Sequence, residues 1–228
     1  TPVEVGDFTA VVPNYFNQRD FNVNLDANLG KHSLRWRFLY DQFTSPNVNT
    51  VTPQNQFTGT YLTGAKKGIF SDAWTISDRV VNDFRASYSR GIGPVLTVPA
   101  TFSNFPNIEF DSEGLNVGPQ GCSPQSGIQN VYQLADTVSY ARGKHTFKGG
   151  VEVRKTISPG TFLPRSRGEW DYANLQSFIN DAIPDGANGA LRGAGSATFA
   201  SNYNSVYGFL QDDWRVNAKL TLNLGLRY

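Results

Sequence analysis

Cysteine, methionine and histidine are nearly missing from this sequence of 228 residues, which has one cysteine, no methionine and two histidines. A lone cysteine, Cys122, excludes an internal disulfide and any cysteine-based zinc cluster; it reads as a buried or loop thiol with nothing nearby to make it reactive. Charge is balanced at +1 and no basic run occurs, so the electrostatic footprint of a nucleic-acid partner is lacking. No stretch approaches the roughly 18 consecutive apolar residues of a spanning helix. A transmembrane β-barrel escapes that test, because only every second residue of its strands need be apolar. The chain opens on Thr1 without the basic start and apolar core of a signal peptide, and reads as processed or excised from something longer.

Catalytic patterns are missing too. Gly143-Lys144-His145 lacks the earlier glycine and the following Ser or Thr of a Walker A loop. There is no Gly-x-Ser-x-Gly elbow and no Ser/His/Asp set. His32 and His145 lack helical ligand spacing; solvated turn histidines are the ordinary reading, and a two-histidine metal site from neighbouring turns stays open. Asp212 and Asp213 are adjacent in a strand and so point to opposite faces, which keeps them from acting together. The expectation is a non-enzyme, with no catalytic, cofactor-binding or metal residue and no cofactor.

What the sequence does have is alternation. In residues 21–29, Phe21, Val23, Leu25, Ala27 and Leu29 alternate with Asn22, Asn24, Asp26 and Asn28, the period of a strand. After Gly30-Lys31-His32 the pattern resumes, with Leu34, Trp36, Phe38 and Tyr40 against Ser33, Arg35 and Arg37. The tripeptide returns as Gly143-Lys144-His145, and Val216-Asn217-Ala218-Lys219 holds the same place before Leu220. Both histidines thus sit in a repeated turn between antiparallel strands. Three more hairpins are predicted, from about Gly68 to Ile76 with Val80 to Arg90, Val131 to Ala141 with Thr146 to Ile157, and Ser205 to Arg215 with Leu220 to Tyr228. Asp72 falls among Phe70, Trp74 and Ile76, so either the register shifts there or that face is not uniformly apolar. Links within hairpins are short and those between hairpins are long. This is the plan of an all-β, antiparallel up-and-down β-barrel of about eight strands, with short turns at one end and long loops at the other. Residues 1–228 form a single barrel domain or a barrel segment.

Periodicity alone does not say which face is inside. Trp36, Phe38 and Tyr40 are bulky for the interior of a small closed barrel, which favours an apolar exterior meeting lipid and a polar lumen lined by Arg35, Arg37, Arg85 and Arg154. Tyr40, Trp74, Tyr88, Tyr140, Trp214 and Tyr228, near strand ends, suit either interfacial girdles or plain cross-strand packing. Asp72 and Asp136 share the apolar face and stand against lipid contact there. The long loops, as in Pro94 to Gly127 and Ser158 to Arg167, are expected at the surface. Leu175, Phe178, Ile179 and Ala182 fall at helical spacing, which predicts a short helix within Trp170 to Ile183, packed on the rim or in the mouth.

Several segments together resemble the barrel region of TonB-dependent outer-membrane receptors, especially the Oar-like group with its carboxypeptidase-regulatory-like domain. They are Asn17-Gln18-Arg19-Asp20-Phe21-Asn22-Val23-Asn24, Val80-Val81-Asn82-Asp83-Phe84-Arg85, Arg142 to Gly150, Asn174-Leu175-Gln176-Ser177-Phe178, and above all Tyr207-Gly208-Phe209-Leu210-Gln211-Asp212-Asp213-Trp214-Arg215-Val216 with Leu220 to Tyr228. The resemblance implies a parent barrel of 22 strands, closed by a plug, that imports a large nutrient with energy from an inner-membrane TonB complex. With no plug, no TonB box and about eight strands in the sequence, the expectation is a segment of such a barrel, and no ligand-binding residue carries over.

Two functions remain open. One is a non-enzymatic piece of a transport barrel in the bacterial outer membrane, with membrane lipid as its partner. The other is a structural protein: about eight strands suffice to close a small barrel, which would self-associate into an oligomer or extracellular filament through its strand edges or N-terminal segment. Residues 1–16, with Val3, Val5, Phe8, Val11 and Val12, are either an extra strand, an extended arm that pairs with a copy, or a plain terminus.

Overall fold

The computed structural model describes residues 6, 9, 11–47 and 54–228. The fold is all-β. Its wall is one antiparallel sheet of eight long strands: β1 (Asn17–Leu29), β2 (His32–Asn47), β3 (Gly59–Ser77), β4 (Val80–Leu96), β7 (Gln125–Arg142), β8 (His145–Phe162), β11 (Thr198–Arg215) and β12 (Thr221–Arg227). Between them the loops add four short strands, β5 (Asn107–Phe110), β6 (Leu115–Val117), β9 (Glu169–Tyr172) and β10 (Ala190–Leu191), and one helix, α1 (Leu175–Ile179). The wall runs in the order β1-β2-β3-β4-β7-β8-β11-β12, so every long strand pairs with the next long strand, the up-and-down plan expected of a barrel. Among the described residues no ladder joins β1 to β12.

The repeated turns have a local cause. Gly30 has φ 60° and Gly143 has φ 61°, whereas Lys31 and Lys144 are not in the left-handed region. Gly at the first central position with an ordinary residue at the second is the type II′ hairpin turn, whose twist matches that of the flanking strands. The turns close on the pairs Leu29–His32 and Arg142–His145. Each histidine is therefore the first residue of a strand, not part of the turn.

The strands are longer than their alternation. β3 begins at Gly59 where the pattern begins near Gly68, and β8 runs to Phe162, β4 to Leu96 and β2 to Asn47. All the added length lies at the loop end. Pro94, Ser158 and Gly127, read as loop residues, belong to these extensions. The ladder from Gly64 to Thr75 runs without a shift through Asp72, so the register does not slip there and the face itself is not uniformly apolar. Of the N-terminal segment, Val3, Val5 and Phe8 lie outside the described residues, and residues 11–16, including Val11 and Val12, have no regular structure.

The second sheet, in the order β10-β9-β5-β6, is built from the two long loops between β4 and β7 and between β8 and β11. Its centre is a parallel ladder in which Ile108 pairs with Trp170 and Phe110 with Tyr172, which ties one loop to the other. Ile108, Phe110 and Tyr172 are buried and are packed by Phe105, Leu115, Val117 and Leu175. The loops thus form a small folded cap. The short helix expected within Trp170 to Ile183 is Leu175–Ile179: Trp170 to Tyr172 is held in β9, and Asn174 takes the N-cap, accepting from the Ser177 N–H at 2.9 Å. Asp181 ends the turn with φ 54°.

Candidate functional site

Cross-strand partners share a face, so the registers sort every wall residue. One face carries Val23, Leu25, Leu34, Trp36, Phe38, Phe70, Phe84, Leu134, Val151, Val153, Leu210 and Leu224; the other carries Asn24, Asp26, Arg35, Arg37, Ser71, Arg85, Gln133, Glu152, Arg154, Tyr207, Gln211 and Arg227. On the apolar face the aromatics form two bands. Trp74, Tyr140 and Trp214 lie near the turns, and Tyr40, Tyr88 and Tyr132 toward the loops. Tyr132 and Tyr140, on one strand, lie about 26 Å apart along it at about 3.3 Å per residue. Tyr132 escaped the sequence reading. Tyr228, expected with the bands, pairs with Gly208 partway up the wall.

The carboxylates on this apolar face are not stray charges. His32 Nδ1 lies 2.8 Å from Asp72 Oδ2, and the His32 ring stacks on Trp74 with centroids 5.2 Å apart. The arrangement repeats with His145 Nδ1 at 2.7 Å from Asp212 Oδ2 and the ring 5.5 Å from Trp214. Each lysine of the turn completes the joint: Lys31 Nζ donates to the Ile76 carbonyl and Lys144 Nζ to the Val216 carbonyl, both at 3.0 Å. The turn carbonyls of Lys31 and Lys144 accept from the N–H groups of Thr75 and Arg215. Between β4 and β7 a variant keeps Tyr140 in the aromatic place, the Arg79 carbonyl accepts from Ala141, and Asn82 Nδ2 donates to Asp136 Oδ1 at 2.6 Å. All three seams between successive hairpins of the wall carry such a clasp.

This corrects two expectations. The histidines are strand residues and not turn residues, each paired with an aspartate and stacked on a tryptophan, with side chains 40% and 37% exposed. Nor do they come together as a metal site, because β3, β4 and β7 separate β2 from β8. Asp212 and Asp213 do face opposite ways: Asp212 meets His145, and Asp213 Oδ2 meets Lys148 Nζ at 3.3 Å on the polar face.

The polar face carries several ion pairs, and Asp20 stands directly opposite Asp41 on it. Arg37 pairs with Asp26 at 2.8 Å, Arg85 with Asp83 at 2.7 Å and Arg154 with Glu152 at 2.7 Å. Arg35 stands opposite Asp26 in the β1–β2 ladder. Arg154 and Arg227 both approach the ring of Tyr207, each 6.0 Å from its centroid. Here a cavity of about 350 Å³ opens, floored by Ala135, Thr137 and Ser139 and rimmed by Asp83, Arg85, Glu152, Tyr207 and Arg227. The four arginines expected on one face are on one face, and Arg85 lines the cavity. Tyr207 was not foreseen here, whereas the alternation of Leu222, Leu224 and Leu226 with Asn223, Gly225 and Arg227 does carry Arg227 to this side.

In the cap, a single guanidinium gathers the first loop. Arg167 donates to the carbonyls of Phe105 at 2.9 Å, Ser123 at 3.2 Å, Pro119 at 3.0 Å and Gln120 at 2.7 Å. Burial holds its pKa below the usual arginine value. Beside it Arg165 pairs with Glu169. Burial, and then the neighbouring Glu169 carboxylate, push Glu109 above the ordinary glutamate range, although the amides of Asn107 and Asn116 donate to it and oppose the shift. Cys122, half-buried and free, sits between the carbonyl-bearing residues that Arg167 holds.

A sequence model of the family described as an outer membrane beta barrel domain matches residues 2–228. Among solved structures, the crystal structure of the outer membrane transporter YddB from Escherichia coli is similar over 93% of this chain and 34% of its own, with 11% identity and a TM-score of 0.34. This chain therefore spans about a third of that transporter's length. No curated protein matches.

Proposed function

The chain belongs to the outer membrane beta barrel domain family, and we propose that it forms part of the wall of an import barrel of the TonB-dependent receptor kind, Oar-like, with no catalysis of its own. Its place is the bacterial outer membrane. The observation that carries the proposal is the polar face: ion pairs recur along it on β1, β2, β4, β8 and β11, and among the described residues β1 and β12 have no ladder between them. A small closed barrel fills its interior with side chains, whereas a wide one keeps a wet, charged lumen. In this reading Arg35, Arg37, Arg85 and Arg154 look into that lumen, and the apolar face meets lipid between its two aromatic bands. At a tilt of about 35–45° their spacing along the strand spans about 18–21 Å of height, most of an apolar band of about 25 Å. The short turns stand on the periplasmic side and the folded cap at the outer mouth, where a large nutrient would first arrive.

The structural alternative, a closed ring of these eight strands that self-assembles, lacks a β1–β12 ladder among the described residues. Intact mass and detergent requirement of the native material test the proposal. A polypeptide much larger than this chain, extracted from outer membranes only with detergent, supports it. A stable species of this chain's own mass that assembles in plain buffer overturns it.

A further inference from the structure

The charges on the apolar face are segregated along the strands. Its three carboxylates, Asp72, Asp136 and Asp212, all lie toward the turn end, and each is engaged by His32, Asn82 or His145. Its loop-side half instead carries Arg19, Lys66, Arg90 and Lys155, and among the described residues none of the four is in an ion pair. On the polar face Arg37, Arg85, Lys148 and Arg154 each have a carboxylate, and Arg35, Lys67 and Arg227 are outside any ion pair among the described residues. Lys66 and Arg90 are direct partners across the β3–β4 ladder, an arrangement of like charges that destabilises a sheet unless an anion answers it.

We propose that Lys66 and Arg90, flanked by Lys155 and Arg19, bind the phosphate of a lipid with net negative charge in the leaflet on the loop side. The level fits a headgroup, because Tyr40, Tyr88 and Tyr132 stand there and aromatic bands mark the membrane interface. Lys66 Nζ lies 5.5 Å from the centroid of the Tyr40 ring, which keeps the ammonium at that level. Asn130, beside Arg90 in the β4–β7 ladder, accepts from Tyr88 Oη at 2.9 Å through Oδ1, so its amide N–H groups are turned to serve as donors to the same anion. Just toward the turns, Gly68 pairs with both Phe38 and Tyr88, and a Cβ there would touch nothing within 4 Å. That notch gives the lipid's stem a place between the aromatic rings. Juxtaposed Lys and Arg at a membrane surface attract anionic lipid by the same electrostatics.

The inference rests on the membrane position of this face and not on import, so it fails or survives separately from the transport proposal. The test is native mass spectrometry of the full chain in neutral detergent, titrated in turn with phosphatidylglycerol, phosphatidylcholine and inorganic phosphate. Phosphatidylglycerol adducts should persist, weaken by about tenfold or more in the double variant Lys66→Gln and Arg90→Gln, and survive in Arg90→Lys and in Arg35→Gln on the opposite face. Equal retention of phosphatidylcholine, equal binding of inorganic phosphate, unchanged adducts in the double variant, or an equal loss in Arg35→Gln would each overturn it.

Discussion

The wall and the cap solve the problem of stability in opposite ways. The wall is nearly all ladder, and its large apolar side chains stay open on one face, with Phe70 38% and Leu134 50% exposed. The cap is a small fraction of the chain, yet it contains Ile108, Phe110 and Tyr172 at 8%, 4% and 7% exposure, and it clamps its own carbonyls with Arg167. The difference teaches where each region finds its interior. The cap buries side chains against one another, as a water-soluble domain must. The wall leaves that role to its surroundings, which in the proposed reading is lipid.

Removing the clamp should separate the two regions most sharply. Arg167→Ala removes the guanidinium donor from four cap carbonyls, of which Gln120 keeps the Ser123 N–H, and should destabilise the cap by about 3 kcal/mol, while the wall keeps its strand content. Labelling of Cys122, the sole thiol, reads the cap, and circular dichroism reads the wall. If Cys122 stays as slow to react as before, the clamp does not hold the cap. A paired substitution then asks whether burial sets the contrast. Phe110→Ala should cost the cap about 3–4 kcal/mol, whereas Phe70→Ala, half-open on the wall, should cost under about 1 kcal/mol in detergent. Equal losses would mean that the wall has a packed interior after all.

A smaller effect is expected at the seams. His32→Leu strands Asp72 on the apolar face and should lower wall stability by about 1–2 kcal/mol. Adding Asp72→Leu should restore most of it, because two matched apolar groups cost less than one orphaned carboxylate. A double variant no better than the single one would show that the clasp does not act as a pair. The same cycle at His145 and Asp212 is expected to give the same sign.

The sequence exposed much of the wall and little of the cap, for physical reasons. Alternation over Phe21 to Leu29 or Leu222 to Leu226 arises because one face is apolar throughout, and it reports that condition more than it reports a strand. Where the condition stops, at Gly59 to Lys67 or Ser158 to Phe162, the ladder continues without the pattern and the strand goes unread. The cap is held by non-local pairs, such as Phe110 with Tyr172 and Arg167 with Phe105, that no local period announces. Trp170 to Tyr172 shows the cost: helical spacing downstream drew it toward a helix, and a parallel partner from the other loop made it a strand. The clasps were half legible. Gly-Lys-His is plain in the sequence, but its partners, Asp72 with Trp74 and Asp212 with Trp214, arrive a whole strand or loop later. Their shared Asp-x-Trp spacing is the signal that could have found them.

The finest contrast concerns pH, because the cap holds carboxylates shifted both ways. Glu109 is raised above its ordinary value of 4.5, chiefly by burial and then by Glu169. The folded cap therefore binds that proton more tightly than the unfolded chain, so the cap gains stability as pH falls through the raised value toward 4.5 and has lost that gain at neutral pH. Asp185 is held below its ordinary 3.8 by the Ala173 N–H and the Ser177 hydroxyl, so its contribution is present above 3.8 and lost as pH falls through the lowered value. Glu109→Gln keeps an oxygen for the amides of Asn107 and Asn116 and removes the charge facing Glu169. It should raise the urea midpoint of cap opening at pH 8, leave it nearly unchanged at pH 4.5, and so flatten the slope between them, with Cys122 exposure to an acid-tolerant thiol reagent as the readout. Wall strand content should follow neither change. A midpoint that falls at pH 8 would mean that Glu109 works as a partner for Asn107 and Asn116 more than as a strained neighbour of Glu169, and the cap would then depend on that carboxylate's charge.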